Sequence, residues 1–261
     1  MPSPLLSLRG LRVTIAGKEV VSGVDLEIPQ GEVHALMGQN GSGKSSLVSA
    51  LAGHPSFEVT AGSAEFLGQD LLAMEPHERA RAGLFLAFQY PRELAGVSLR
   101  QFLFAAVSAQ RTARDPSAPP LSPIAFRDEL AAAMAALHVD PAFAERSLNQ
   151  GFSGGEKKKV EVLQLSVLKP RLALLDETDS GLDVDALKIV AAGVERQRGS
   201  EFGALVVTHY ARILSHLKPD RVHVMLAGRL VESGGADLAH TLERDGYAKY
   251  RSAAQSIPLD R

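Results

Sequence analysis

The chain has 261 residues, 45% of them hydrophobic, which is enough for a sizeable core in one or two domains. Its 28 basic and 30 acidic residues leave a formal charge of −2, with both signs spread along the chain. That removes the electrostatic case for nucleic acid or an anionic membrane as the main partner. There is no cysteine, so disulfides and cysteine-based ligation of a metal or cluster are excluded.

The segment Met1-Pro2-Ser3-Pro4 runs directly into the strand-like Leu6–Ile15 and leaves no room for the charged and apolar regions of a signal peptide. No apolar run approaches the length of a membrane span. The expectation is a soluble, cytoplasmic chain with no direct membrane insertion.

Residues 5–37 alternate apolar and polar with glycine punctuation, as in Val24-Asp25-Leu26-Glu27-Ile28 before Pro29-Gln30-Gly31. This predicts antiparallel strands and turns. Val33–Met37 reads as a short buried strand, followed by glycine-rich residues and a helix opening near Lys44. Leu84–Phe88, Leu172–Leu175 and Ala204–Thr208 are further apolar runs. Each leads into polar residues, as strands do when their carboxyl ends line a site. Between Gln89 and Ser153 the pattern turns helical. Ser98-x-x-Gln101 forms a capping box before Leu99, Phe102 and Leu103, and a breaker-rich loop covers 115–123. Phe126, Leu130, Met134 and Leu137 mark one face of a later helix. The fold class is α/β, a nucleotide-binding core with a helical insertion.

Gly38-Gln39-Asn40-Gly41-Ser42-Gly43-Lys44-Ser45, followed by Ser46, matches the P-loop pattern G-x-x-x-x-G-K-[ST]. Glycines let backbone N–H groups converge on phosphate oxygens, and a helix N-terminus adds positive potential. Lys44 is expected to reach the β- and γ-phosphates, and Ser45 to offer its hydroxyl to Mg²⁺. Leu172-Ala173-Leu174-Leu175-Asp176-Glu177 is an apolar strand ending in two carboxylates. Asp176 suits the metal and Glu177 the attacking water. Ser153-x-x-Glu156 is a capping box for the helix through Val160, Leu163 and Val167. With Gly154 and Gly155 it is also a phosphate-binding helix start. It cannot serve a γ-phosphate already wrapped by the P-loop, so it is expected to serve the nucleotide of a second copy.

The ordered set of P-loop, Gln89, Ser153-Gly154-Gly155, Asp176-Glu177, Ser180-Gly181-Leu182-Asp183 and His209 resembles the ATP-binding-cassette (ABC) ATPase family over nearly the whole chain. The resemblance implies a P-loop RecA-like core with an N-terminal antiparallel β-subdomain, formed by 5–89 and 154–261, and a helical subdomain at 90–153, within one ABC domain spanning 1–261. It implies ATP and Mg²⁺ as ligands and an ATP-dependent head-to-tail dimer. Gln89 would sense Mg²⁺ and the γ-phosphate, Asp183 would lie between subunits, and His209 would act beside Glu177 and Lys44 in hydrolysis. Ile15 aligns with the aromatic residue that commonly stacks on adenine, so weak selectivity for adenine over guanine is expected.

The finer wording, Ala87-Phe88-Gln89-Tyr90-Pro91, Gly151-Phe152-Ser153-Gly154-Gly155-Glu156-Lys157-Lys158-Lys159, Asp176-Glu177-Thr178-Asp179-Ser180 and Thr208-His209-Tyr210, resembles the SufC branch, the ATPases of the SUF iron–sulfur cluster assembly machinery. Transporter cassettes usually carry Gln at the place of Glu156 and Pro-Thr at the place of Thr178-Asp179. The branch implies SufB- and SufD-like scaffold proteins as partners, which supply the cluster ligands this cysteine-free chain lacks. The alternative is the nucleotide-binding subunit of a membrane ABC transporter. Coiled-coil or zinc-bearing repair ATPases lack support, since neither heptad length nor cysteine is present. A GTPase is disfavoured because Asn40 and Asn149, the only asparagines, form no guanine motif. Two further expectations follow. A partner is expected to dock near Leu94 and Val97, and Lys158 is expected to latch Glu177 or Asp179 in the free subunit.

Overall fold

The turn Ala16-Gly17 has positive φ at both residues (47° and 76°), the geometry that matches the twist of a tight antiparallel hairpin. It joins β1 (Leu6–Ile15) to β2 (Lys18–Ile28), whose alternating apolar residues are buried. The computed structural model describes residues 4–250 apart from 181, 183 and 211. After the hairpin come β3 (Val33–Met37), α1 (Lys44–Leu51), β4 (Phe57–Phe66), β5 (Gln69–Asp70), α2 (Pro76–Ala82) and β6 (Leu84–Ala87). A second group follows: β7 (Leu94–Ser98), α3 (Leu99–Arg114), α4 (Pro123–Ala136), a short 3-10 helix (Pro141–Glu145) and β8 (Ser147–Leu148). The chain continues through α5 (Gly154–Leu168), β9 (Leu172–Asp176), α6 (Val184–Glu195), β10 (Gly203–Thr208), α7 (Leu214–Leu217), β11 (Arg221–Leu226), β12 (Arg229–Gly234) and α8 (Asp237–Asp245).

Among the described residues the strands form an antiparallel sheet of order β2-β1-β4-β5, a six-stranded sheet of order β12-β11-β3-β10-β9-β6, and the small pair β7-β8. In the large sheet β11, β3, β10, β9 and β6 run parallel, and only β12 is antiparallel. Its central strands are buried on both faces, which is why they read as continuous apolar runs. The period of two divides them between two cores. Leu36, Leu174, Leu205 and Val207 pack with β1, β2 and α1, while Ala35, Ala173, Leu175 and Val206 pack with α5 and α6.

The capping boxes at Ser98 and Ser153 both form, with Ser153 Oγ accepting from Glu156 N–H at 3.3 Å and Glu156 Oε2 accepting from Ser153 N–H at 2.7 Å. Phe126, Leu130, Met134 and Leu137 are buried as one helical face requires. The sheet β7-β8 is a difference from the helical reading of this region. A two-residue strand carries too little periodicity to be legible, and β7 includes Gly96, a weak strand former.

The glycine loop between β3 and α1 is tied to both sheets. Gly228, in the β11–β12 turn, donates its N–H to Ser42 O at 2.9 Å and accepts from Ser22 N–H at 2.8 Å. Its φ is +80°, and a Cβ there would lie 3.0 Å from Val20 O, so glycine is required.

Candidate active site

The carboxyl ends of β3, β6, β9 and β10 carry the polar residues that follow each buried strand, the place where an open α/β sheet presents its ligand crevice. A cleft of ≈ 220 Å³ opens there, lined by Asn40 to Ser46, Gln89 and Glu177. The loop needs its glycines for closeness as well as for backbone conformation. A Cβ on Gly38 would lie 2.3 Å from Met225 O, and one on Gly43 (φ +105°) would lie 2.5 Å from Val20 O.

Lys44 is 3% exposed, and its Nζ donates to Gly38 O at 2.8 Å and Gln39 O at 3.0 Å. Burial lowers its pKa, while the charges of Glu177 and Asp176 raise it. Ser45 Oγ donates to Asp176 Oδ1 at 2.9 Å. Burial pushes the Asp176 carboxyl up to about 6, against the Ser45 hydrogen bond and with the help of the adjacent Glu177 charge. Glu177 sits in left-handed backbone (φ 46°), with its N–H donated to Val207 O at 2.9 Å. A non-glycine residue held there at a strand end is strained, and such strain concentrates at functional sites. Gln89 Nε2 donates to Glu177 Oε2 at 2.8 Å. His209 Nδ1 lies 3.6 Å from Glu177 Oε1, too far for a hydrogen bond.

These residues fit MgATP. Ser42 Oγ is buried without a partner in the loop, an unspent donor beside the phosphate cradle. Ser45 Oγ and an Asp176 carboxylate oxygen are hard oxygen ligands already 2.9 Å apart, and Gln89 stands at the same cleft. Among the described residues no group of three or more His, Cys, Asp or Glu could hold a metal ion.

Other residues read from the sequence lie elsewhere. Gln39 contributes its carbonyl to Lys44 behind the cleft. Ser153, Gly154 and Gly155 do not line the cleft, and a Cβ on either glycine would meet nothing within 4 Å. Ile15 ends β1 opposite Lys18 and Phe57, also outside the phosphate cleft. Asp183 lies outside the described residues. The expected latch is corrected. Lys158 Nζ donates to Glu161 Oε2 at 2.9 Å and Phe88 O at 2.8 Å, and reaches neither Glu177 nor Asp179. A carboxylate three residues on along the same helix outcompetes one on another element. Asp179, 2% exposed, instead accepts from Thr208 Oγ1 at 2.8 Å. Glu161 and Thr208 were not singled out from the sequence. The i,i+3 spacing of Lys158 and Glu161 is the available signal for the first; Thr208 is legible as a strand end, but nothing local marks its bond to Asp179.

Comparison with known proteins agrees with this site. The family model described as "ABC transporter" matches residues 21–180. "Vegetative protein 296" of Bacillus subtilis is 51% identical over 95% of this chain and 93% of its own length. A "probable ATP-dependent transporter" of Synechocystis is 49% identical over 95% of this chain and 96% of its own. A solved ATP-binding subunit of an ABC transporter superposes with TM-score 0.75 at 24% identity, covering 93% of each chain. A cassette solved as a dimer in a post-hydrolysis state with ADP and Pi superposes with TM-score 0.75 at 16% identity, covering 88% of this chain and 98% of that one. The chain belongs to the ATP-binding cassettes of the ABC transporter family, and it is an ABC-type ATPase that binds and hydrolyses ATP with Mg²⁺.

Proposed function

We propose that this ATPase drives conformational change of a cytoplasmic iron–sulfur cluster assembly scaffold built from SufB- and SufD-like proteins. Residues 5–89 and 154–261 form the catalytic core, and 90–153 the helical subdomain. Two copies close head to tail on ATP, so that Ser153, Gly154 and Gly155 of one copy meet the phosphates held by residues 38–46 of the other. The absence of any neighbour within 4 Å of a Cβ at Gly154 or Gly155 supports this, because the chain's own packing gives no reason for two glycines at that helix start. Asp183 would lie between the subunits, and Ile15 would touch the base.

In this reading the phosphates replace the loop carbonyls as partners of Lys44. Ser45, Asp176 and Gln89 would hold Mg²⁺, which when bound would neutralise charge on the transferring phosphoryl group. Glu177 accepts a proton from the water that attacks the γ-phosphorus while the bond to ADP breaks, Gln89 holds the Glu177 carboxylate in place, and His209, whose Nδ1 has no partner within the fold, turns to the γ-phosphate.

The observation that carries the branch assignment is Asp179. A second carboxylate, two residues after Glu177, is 2% exposed and fixed by Thr208, one residue before His209. Among the described residues no helix is long and apolar enough to cross a membrane. Phe88, Tyr90, Leu94 and Val97 are exposed apolar or aromatic side chains following the β6 end, and they offer a partner surface contiguous with Gln89. A second reading, the nucleotide-binding subunit of a membrane transporter, is favoured by the Synechocystis relative, which is named a probable ATP-dependent transporter.

Affinity purification followed by mass spectrometry separates the two. Recovery of soluble scaffold proteins without detergent is expected, and Leu94→Lys or Val97→Lys is expected to abolish it while leaving circular dichroism unchanged. Recovery of an integral membrane protein in detergent alone overturns the scaffold reading.

A further inference from the structure

One buried ion pair has no part in the chemistry described above. Lys158 and Glu161 on α5 are each 5% exposed, and burial raises the carboxyl pKa of Glu161 against the pull of Lys158. Buried pairs of this kind are often replaceable by apolar residues without loss of stability, so stability alone does not explain this one.

What the pair holds supplies one. Lys158 Nζ donates to Phe88 O at 2.8 Å, and Phe88 N–H donates to Glu161 Oε1 at 2.9 Å. Both backbone polar groups of one residue are taken by one ion pair. Parallel pairing of β6 with β9 ends at Ala87 opposite Leu175, so Phe88 is the first residue beyond the ladder. Its ring is 47% exposed and does not anchor it. The next residue is Gln89, whose amide reaches Glu177. On its other side the ion pair shares a cavity of ≈ 10 Å³ with Thr178, the residue after Glu177. Hydrogen bonds in which one partner is charged are stronger and shorter than neutral ones, so this is a stiff joint.

We propose that Lys158 and Glu161 are positioning residues for Gln89: they clamp Phe88 to the helix that opens at Ser153, so that the Gln89 sensor and the Ser153–Gly155 helix start move as one body. The inference rests on the assignment of Gln89 and Ser153–Gly155 to the nucleotide. Docking of the helix start on a second copy's phosphates then carries Gln89, and with it the Glu177 carboxylate, into register with the attacking water.

The test is steady-state ATP hydrolysis by the full chain, with melting temperature measured in parallel. Removing one partner alone would strand a buried charge, so the informative variant is the apolar pair Lys158→Met/Glu161→Leu. It is expected to melt close to the wild-type temperature, since relief of two buried charges offsets the lost partners of the Phe88 N–H and C=O. Its kcat is expected to fall about ten- to hundredfold, as misplacement of a reacting group does, with KM for ATP changed by less than about twofold. Lys158→Met/Glu161→Gln strands no charge, keeps an acceptor for the Phe88 N–H and is expected to retain most of the rate. Wild-type kcat in the apolar pair overturns the clamp. So does a loss of rate that tracks a lower melting temperature in both variants. Gln89→Ala serves as the control: turnover at the wild-type rate in that variant overturns the reading of Gln89 itself, and the clamp with it.

Discussion

Two buried polar networks share strand β3, one beyond its carboxyl end and one at its amino end, and they are finished differently. At the amino end Glu32 Oε2 pairs with His34 Nε2 at 2.8 Å, His34 Nδ1 with His223 Nε2 at 3.0 Å, and His223 Nδ1 with Ser233 Oγ at 2.7 Å. With both rings neutral, every ring nitrogen has a matching donor or acceptor, and the chain of bonds closes on itself. At the other end Ser42 Oγ and His209 Nδ1 have no partner, Lys44 settles for carbonyls, and two carboxylates stand side by side. Burial and polarity are common to both networks. What separates a structural network from a chemical one is whether its hydrogen-bonding capacity is used up within the fold.

The sharpest way to break that comparison is at Glu177. Glu177→Gln retains the hydrogen-bonding shape but removes the proposed base, so turnover is expected to fall by about 10²–10⁴-fold with ATP binding preserved. A single-turnover assay beside a nucleotide-binding measurement checks both halves. A wild-type rate would remove Glu177 from the chemistry.

The closed network is expected to show itself in stability and leave turnover alone. Burial drives the His223 pKa down to about 4 from an unfolded value of 6.5, and it lowers that of His34 too, where Glu32 and, more weakly, Asp220 oppose it and Arg221 adds to it. The unfolded chain therefore takes up protons first as pH falls through 6.5. Stability present above that pH is lost on the way down to about 4. For His223 alone the loss between pH 7 and pH 5 is about 2 kcal/mol. Denaturant titrations across that range should show it, and His223→Asn should flatten the profile. An unchanged acid slope in the variant would place the proton uptake elsewhere.

A smaller effect is expected at the base. In the proposed reading Ile15 gives the base apolar contact without stacking, so ATP and GTP should bind with similar affinity. Ile15→Tyr should tighten ATP by about 1 kcal/mol, the low end for a stacked base. Calorimetry with both nucleotides decides it, and a strong wild-type preference for ATP would move the adenine contact away from Ile15.

The parts of the site legible in the sequence are those whose chemistry is local. The phosphate loop needs its glycines, lysine and serine within eight positions, and the capping box at Ser153 needs only Glu156 three residues on. The strand ends at Asp176 and Thr208 announce themselves because buried parallel strands are apolar throughout until they stop. What the residue pattern hid is long-range. Glu161 takes the N–H of a residue 73 positions away, and Thr208 holds Asp179 across two strand ends. Lys158 shows the hazard of reasoning from charge alone: a lysine on that helix has several carboxylates within plausible reach, and the one on its own helix wins because the intervening backbone is already rigid.

Gly228 has a thermodynamic consequence. It is bonded through its N–H to Ser42 in the phosphate loop and through its carbonyl to Ser22 in the antiparallel sheet. Anything that stiffens the loop by binding it must also stiffen this joint, and by reciprocity anything that loosens the joint must weaken the grip on nucleotide. A β-turn that never touches the phosphates is thereby part of their affinity. Filling the site is then expected to hold the two sheets together more firmly than leaving it empty, with the ligand as a removable rivet between the halves of the core.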